Sequence, residues 1–311
     1  MFIRTPENRA HKLRKDANNK YTSRSTLPQH STWSFRSGVV QHFLPAESCP
    51  DHMTYPQTTW NFVADSYLFL HLTTIQIATM EDLSNYKVEA PAPVTLTGHY
   101  LTLVPYEEDQ HLAKLWDALG GDSGINELIK YFPNDTYRVN NDLGDWLRKM
   151  NTSGGFVTLV AVKNDNNEIV GMASYMRPDP KNGVVEVGSV AHGTAMARSP
   201  LSTELHYLMA KHVFDDLGYR RYEWKCHNEN KPSKAAAVRY GFVFEGIFRQ
   251  HMISRGANRD TAWYSIIDKE WPVVKSAFEN WLAPENFVEE GKQRRKLEDI
   301  RSGLSQSLNK R

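Results

Sequence analysis

The chain has 311 residues, room for one globular domain of average size with extensions. Its formal net charge of +1 gives no electrostatic drive toward nucleic acid or an anionic membrane surface. Cys49 and Cys226 stand far apart and no histidines fall at ligand spacing, so no disulfide framework and no metal site are predicted, and a reducing compartment is implied.

Residues 1–79 differ in character from the rest. Residues 1–36 are rich in Arg, Lys, Ser and Asn with only Glu7 and Asp16 acidic, whereas 37–79 contain no Lys or Arg. A basic, acid-poor start suits a mitochondrial transit segment. An over-extended, low-order start, with Met80 opening the protein, is the other reading. The stretch 60–78 is moderately apolar, but Asn61, Asp65, His71 and Gln76 interrupt it, so no membrane span is predicted. Residues 80–93 read as a linker, 94–288 as the globular domain and 289–311 as a charged tail, a solvated helix or a frayed end.

Within the domain, HYLTLVP (99–105) reads as a first strand and 107–119 as a first helix. Gly120 and Gly121 break the pattern before more helix to residue 131, and again over 143–150. FVTLVAVK and EIVGMASYM are strands joined by an NDNN turn, a hairpin signal. The strand GVVEVGSV (183–190) follows, then the polar loop 191–200. Over 201–218, Leu205, Leu208, Met209, Val213, Phe214 and Leu217 recur at helical spacing. Ser199 and Pro200 suit the start of that helix and Gly218 its stop. A strand at 220–226 must then lie parallel to 183–190, because a crossover helix separates them. Such a helix offers free N–H groups and a positive dipole end to a phosphate. Asn230 reads as the N-cap of a further helix near Pro232. VFEGIFRQHMI and DTAWYSIID form a last hairpin, and Trp271, Val274, Phe278, Trp281 and Leu282 line one face of a helix started by Pro272.

Several motifs carry a family resemblance: ARSPLSTEL, then Glu-Trp-Lys-Cys, Asn-x-x-Ser, Gly-Phe, Glu-Gly-x-x-Arg and Arg-Asp-Thr-Ala-Trp in YEWKCHNENKPSKAAAVRYGFVFEGIFRQHMISRGANRDTAWYSIIDKEW. From residue 94 onward the chain resembles the GNAT superfamily of acetyl-CoA-dependent N-acetyltransferases, in its RimJ/RimL-like branch. The resemblance implies an α/β (α+β) fold: a mixed, mostly antiparallel twisted sheet, with a central parallel pair splayed around coenzyme A and helices on both faces. It implies acetyl-CoA as cosubstrate and an amine acceptor, either a protein N-terminus or a small amine.

By the same resemblance, Glu186 is the general base and Ser189, Val190 and Ala191 line the pantetheine arm. Arg198, Ser199, Ser202 and Thr203 surround the phosphates, and Asn230 holds the arm's amide. Two departures stand out. The segment 197–202 lacks the glycines of the widespread phosphate loop. Ala237 stands where many relatives carry the tyrosine that protonates the leaving thiolate, which leaves Ser233 as the available acid. Other readings stay beside these. Glu186 suits a strand carboxylate facing solvent or pairing with an arginine equally well, and Asn230 and Ser233 suit simple capping. Glu204 suits the helix dipole or an ordered loop. His192 suits a passive loop histidine or a second base, and Tyr240 a core residue.

The expected activity is acetyl transfer to an amine in a cytoplasmic enzyme, or a mitochondrial one if residues 1–36 act as a transit segment. The rivals are a degenerate coenzyme A-binding relative without turnover, and an interaction protein that reaches RNA or ribosomes through its basic tail.

Overall fold

The computed structural model describes residues 81–288 and 292–308, together with the antiparallel two-residue strands β1 (Phe35–Arg36) and β2 (Val39–Val40). The readings made for residues 1–36 and 60–78 and for a start at Met80 otherwise lie outside the described residues. The chain divides into two units, Met1–Gln76 and Ile77–Arg311. The large sheet and its helices belong to the second unit.

Eight strands make one sheet. They are β3 (Leu96–Thr97), β4 (Leu101–Pro105), β5 (Val157–Lys163), β6 (Ile169–Asp179), β7 (Val184–His192), β8 (Arg221–His227), β9 (Val243–Ser254) and β10 (Ala257–Ile267), in the order β3-β4-β5-β6-β7-β8-β10-β9. Every neighbour pair is antiparallel except β7 and β8. The parallel pairing predicted from the crossover is present. The mixed sheet with helices on both faces is the expected architecture.

One face is covered by α1 (Glu108–Ala118), α2 (Gly121–Leu128) and α3 (Asn140–Thr152), whose Leu115, Ile125, Leu143 and Leu147 pack on Val160 and Met172. The other carries α4 (Pro200–Lys211), α5 (Lys231–Arg239), α6 (Trp271–Leu282) and α7 (Leu297–Leu308). The α4 stripe behaves as its periodicity predicts: Leu205, Leu208, Met209, Val213 and Phe214 are buried against Val185, Val187, Tyr222 and Trp224. The helix does not run evenly to Gly218. It widens over His212–Asp216, where the N–H of Leu217 reaches the carbonyl of His212 at 3.0 Å.

Two segments are more integrated than their composition suggests. In the linker 80–93, the Tyr86 hydroxyl donates to the Gly218 carbonyl (2.9 Å), and that of Tyr219 to the Glu89 carbonyl (3.0 Å). The charged tail is not a solvated end: α7 buries Leu297 and Ile300, and Arg301 donates to the carbonyls of Arg239 (2.8 Å) and Val238 (2.9 Å). With the partly buried Leu304 these residues recur at i, i+3 and i+7, a helical stripe that the surrounding charges obscure.

Glu204, polar and in the first turns of α4, is buried. Its carboxylate accepts three backbone N–H groups from the β3–β4 turn: His99 at 2.7 Å, Tyr100 at 2.7 Å and Leu101 at 2.8 Å. It orders a distant turn, not its own loop. Gly98 makes the approach possible, since a Cβ there would stand 2.5 Å from the Glu204 carboxyl carbon. Glu204→Ala should therefore lower stability by about 3 kcal/mol, because buried N–H donors lose a charged acceptor. Gly98→Ala should be destabilising through steric conflict alone. Thermal or urea unfolding checks both, and wild-type stability in either variant would show that the clamp contributes nothing.

Candidate active site

The β7–β8 ladder is short. Val184, Val185, Glu186 and Val187 pair with Arg221, Tyr222, Glu223 and Trp224, and no partner follows. Beyond that point β7 continues against β6 and β8 against β10. A bulge in β7 marks the divergence, since three steps from Gly188 to Ala191 face two from Ser174 to Met172. Ser189 there adopts φ +50°, a left-handed conformation that costs about 1 kcal/mol outside glycine. The edge of β7 facing β8 is thus left without ladder bonds over Ser189, Val190 and Ala191. The Ser189 side chain turns aside toward the Met176 sulfur (3.7 Å), Val190 packs against the α4-side core, and Ala191 faces the α1–α3 side.

Below the gap, on the face left open by α1–α3, Glu186 is 3 % exposed. Its Oε2 accepts from Arg177 Nη1 (3.1 Å) and Lys225 Nζ (3.1 Å). Its Oε1 has no partner among the described residues. Burial pushes its carboxyl upward, while Arg177 and Lys225 pull it back. Lys225 also meets Glu223 at 2.7 Å and lies 3.8 Å from the centroid of the Trp263 ring. Arg221 closes the series, with Glu223 at 2.7 Å and Glu245 at 2.6 Å. Pairing with an arginine, one of the two structural readings of Glu186, is present together with burial. Solvent exposure is not.

On the opposite face, Trp224 Nε1 donates to Ser233 Oγ at 3.0 Å. Ser233 can still donate its own proton. Its backbone N–H reaches Asn230 Oδ1 at 3.1 Å, so Asn230 caps α5 as its position predicts. Ala237 is fully buried, and Tyr240 belongs to the core, 4.2 Å from the ring of His206. His192 and His206 face each other at 5.6 Å. Burial lowers His192 to about 4 and His206 well below the usual range. A neutral His192 is half-buried, and its Nε2 is out of reach of solvent with no hydrogen-bond partner among the described residues.

The residues predicted around phosphate part company. Arg198 (φ +55°) and Ser202 line a cavity of about 410 Å³ with His192, Gly193, Met196 and Gly120. Ser199 instead turns its hydroxyl back to the Met196 carbonyl (3.0 Å), and Thr203 accepts from Arg239 Nη1 (2.9 Å) in the interior. Their side chains are engaged elsewhere; the N–H groups outside the helical ladder at the start of α4 are those of Ser199, Leu201 and Ser202, since Pro200 has none and that of Thr203 closes the first turn onto the Ser199 carbonyl. Among the described residues no group of three or more His, Cys, Asp or Glu side chains could hold a metal, and no helix is long and apolar enough to cross a membrane.

Reading residues singly missed Arg177 and Lys225. The signal for Lys225 was the alternation Arg221, Glu223, Lys225, His227, which places four polar side chains on one face of a strand whose other face is Tyr222, Trp224 and Cys226. No local signal pointed to Arg177.

A sheet opened at its parallel pair, beside a helix N-terminus, is the architecture that the resemblance to acetyl-CoA-dependent acyltransferases implies, and the comparisons show that class. The family model for the acetyltransferase (GNAT) domain matches residues 100–243. The crystal structure of a GCN5-related N-acetyltransferase from Brucella melitensis has a TM-score of 0.67 and 40 % identity, over 71 % of this chain and 100 % of that one. The SPbeta prophage-derived N-acetyltransferase YokL of Bacillus subtilis is 26 % identical over 179 residues, 56 % of this chain and 94 % of that protein. The ribosomal-protein-serine acetyltransferase of Escherichia coli is 30 % identical over 105 residues, 33 % of this chain and 58 % of that protein. The chain belongs to the GNAT acetyltransferase family.

Asn230→Ala should cost about 1 kcal/mol through loss of the α5 cap, read as a lower melting temperature. Asn230→Asp should recover most of it. Equal losses in both variants would move the role of Asn230 away from capping.

Proposed function

We propose that the chain transfers an acetyl group from acetyl-CoA to a primary amine by direct attack in a ternary complex. The observation that carries the reading is the gap between β7 and β8, because Glu186 lies on one face of the sheet and Ser233 on the other. An acetyl thioester seated in that gap would meet the amine from the Glu186 side and leave its thiol on the Ser233 side.

In the reaction, the amine nitrogen bonds to the carbonyl carbon and the carbon–sulfur bond breaks. Glu186 Oε1 takes the amine's surplus proton, directly or through one water. The N–H groups along Ser189, Val190 and Ala191 stabilise the oxyanion, an effect worth about 3 kcal/mol per donor. Ser233 donates a hydrogen bond to the departing sulfur. A thiol near pKa ~8.5 is a fair leaving group, so that contribution is secondary. The Arg198 and Ser202 side chains and the unpaired N–H groups of Ser199, Leu201 and Ser202 receive the phosphates, with Thr203 closing the first turn behind them. Asn230 keeps its cap and holds the pantetheine amide with whatever hydrogen-bonding capacity remains.

The acceptor amine belongs to a protein N-terminus or a small molecule. The name of the Escherichia coli relative, a ribosomal-protein-serine acetyltransferase, supports a protein acceptor, over the part of that protein the chain matches. The cytoplasm suits both acetyl-CoA supply and the free buried thiol of Cys226.

Acetyl-CoA at about a hundred times its dissociation constant should stabilise the full chain by about 2.7 kcal/mol, a clear melting shift. Glu186→Gln should keep that shift and lose about a hundredfold or more in turnover. The base must be ionised to act, so wild-type kcat/KM should rise with pH along a limb above the ordinary carboxylate range, and Glu186→Gln should lack that limb. Unchanged turnover in Glu186→Gln rejects the base. A shift without turnover for any amine leaves the degenerate, coenzyme A-binding relative.

A further inference from the structure

Ion pairs account for most of the charges on the open sheet face, but not for Arg259. It lies on β10 and is 9 % exposed, and no carboxylate pairs with it among the described residues. Its Nη1 donates to the Tyr131 carbonyl at 3.2 Å, and its Nε lies 3.4 Å from Thr261 Oγ1. Enclosing a guanidinium with neutral partners alone is costly. Pinning the 129–134 segment explains one nitrogen. It does not explain the charge, since Arg255 already holds that segment through the carbonyls of Asn134 (2.8 Å) and Ile129 (3.2 Å).

Other donors gather around it. His251 Nδ1 shares Thr261 Oγ1 at 3.0 Å. Burial, and then Arg259, Lys225 and Arg177, all disfavour its charged form, so these cations act on one place. Lys225 is fully engaged by Glu186 and Glu223. Arg177 gives only Nη1, to Glu186, and its side chain is 56 % exposed. Trp263, in register with Lys225, has a buried Nε1 with no acceptor. The cluster holds more donors than acceptors, and it adjoins the one carboxylate oxygen assigned to the amine.

We propose that the acceptor carries an anionic group, a carboxylate or a phosphate, on the same molecule as its amine, and that Arg259, with Arg177 and His251, receives it beside Glu186. This rests on the amine-acceptor reading above. An oxyanion at Arg259 would supply the missing countercharge through a charge-assisted, forked contact. The amine would then stand next to Glu186, whose opposite charge keeps the two ends of the acceptor in register.

The test compares matched acceptors: phosphoethanolamine with ethanolamine, and the peptide amides Ser-Glu with Ser-Gln. In at least one pair the anionic member should be preferred by about tenfold or more in kcat/KM, mostly through KM, and less so at high salt. Which pair responds tells phosphate from carboxylate. Binding is followed in parallel by the melting shift each compound gives in the presence of coenzyme A, a readout that needs no turnover. Arg259→Gln should reduce both preferences to near parity, and Arg259→Lys should retain part. Arg177→Gln, at a residue that touches no part of the 129–134 segment, should reduce them even if Arg259→Gln weakens the fold. The proposal is overturned if neither pair discriminates in binding or turnover, or if discrimination survives in a well-folded Arg259→Gln protein. Absence of acetyl transfer to all four amines, with an anion-selective melting shift intact, would count against the amine-acceptor reading and not against the anion site.

Discussion

Beyond Val187 and Trp224 the two parallel strands of the sheet stop sharing hydrogen bonds, and the layout of the site depends on that separation. A sheet is ordinarily a wall, since its ladder leaves no room for a molecule between neighbouring strands. Here the β7 bulge, with Ser189 in a left-handed conformation, turns the strand away while β8 stays with β10. Groups on opposite faces can then act on a single bond placed in the opening. Without the divergence, Glu186 and Ser233 would belong to separate surfaces.

Opening a sheet leaves polar backbone and a buried carboxylate without ladder partners, and the surroundings limit the consequences. Burial favours the protonated form of Glu186, whereas Arg177 and Lys225 favour the ionised one. Both cations use Oε2, so the carboxylate is oriented and its other oxygen stays free. The cations are arranged by strand register: Glu186 lies beside Glu223 in the parallel pair, and Lys225 reaches both. On the far side, Asn230 fixes the start of α5 and so places Ser233 under Trp224. Glu204 ties α4 to the β3–β4 turn, which holds the helix whose N-terminus opens on the cavity of Arg198 and Ser202.

Much of this frame was legible in the sequence because it depends on near neighbours in the chain. The α4 stripe, the hairpins, the parallel β7–β8 pair, the Asn230 cap and the core position of Tyr240 follow from periodicity, turn chemistry and crossover length. The family resemblance singled out Glu186 and Ser233 as candidates. The predicted phosphate residues were legible only as a segment: Arg198 and Ser202 face the cavity, while the side chains of Ser199 and Thr203 are taken up by Met196 and Arg239.

Most of the elements, their order and the larger apolar faces that must be buried follow from spacing along the chain. Which polar groups meet depends on the folded chain: Arg177 with Glu186, Glu204 with the N–H groups of 99–101, Arg259 with the Tyr131 carbonyl, and Arg301 of α7 with the last carbonyls of α5. Each joins residues that are distant in sequence or sit on different strands, at distances set by strand register and helix packing. A charged side chain looks the same in sequence whether its partner is water, a carboxylate or nothing. Burial and geometry make that distinction.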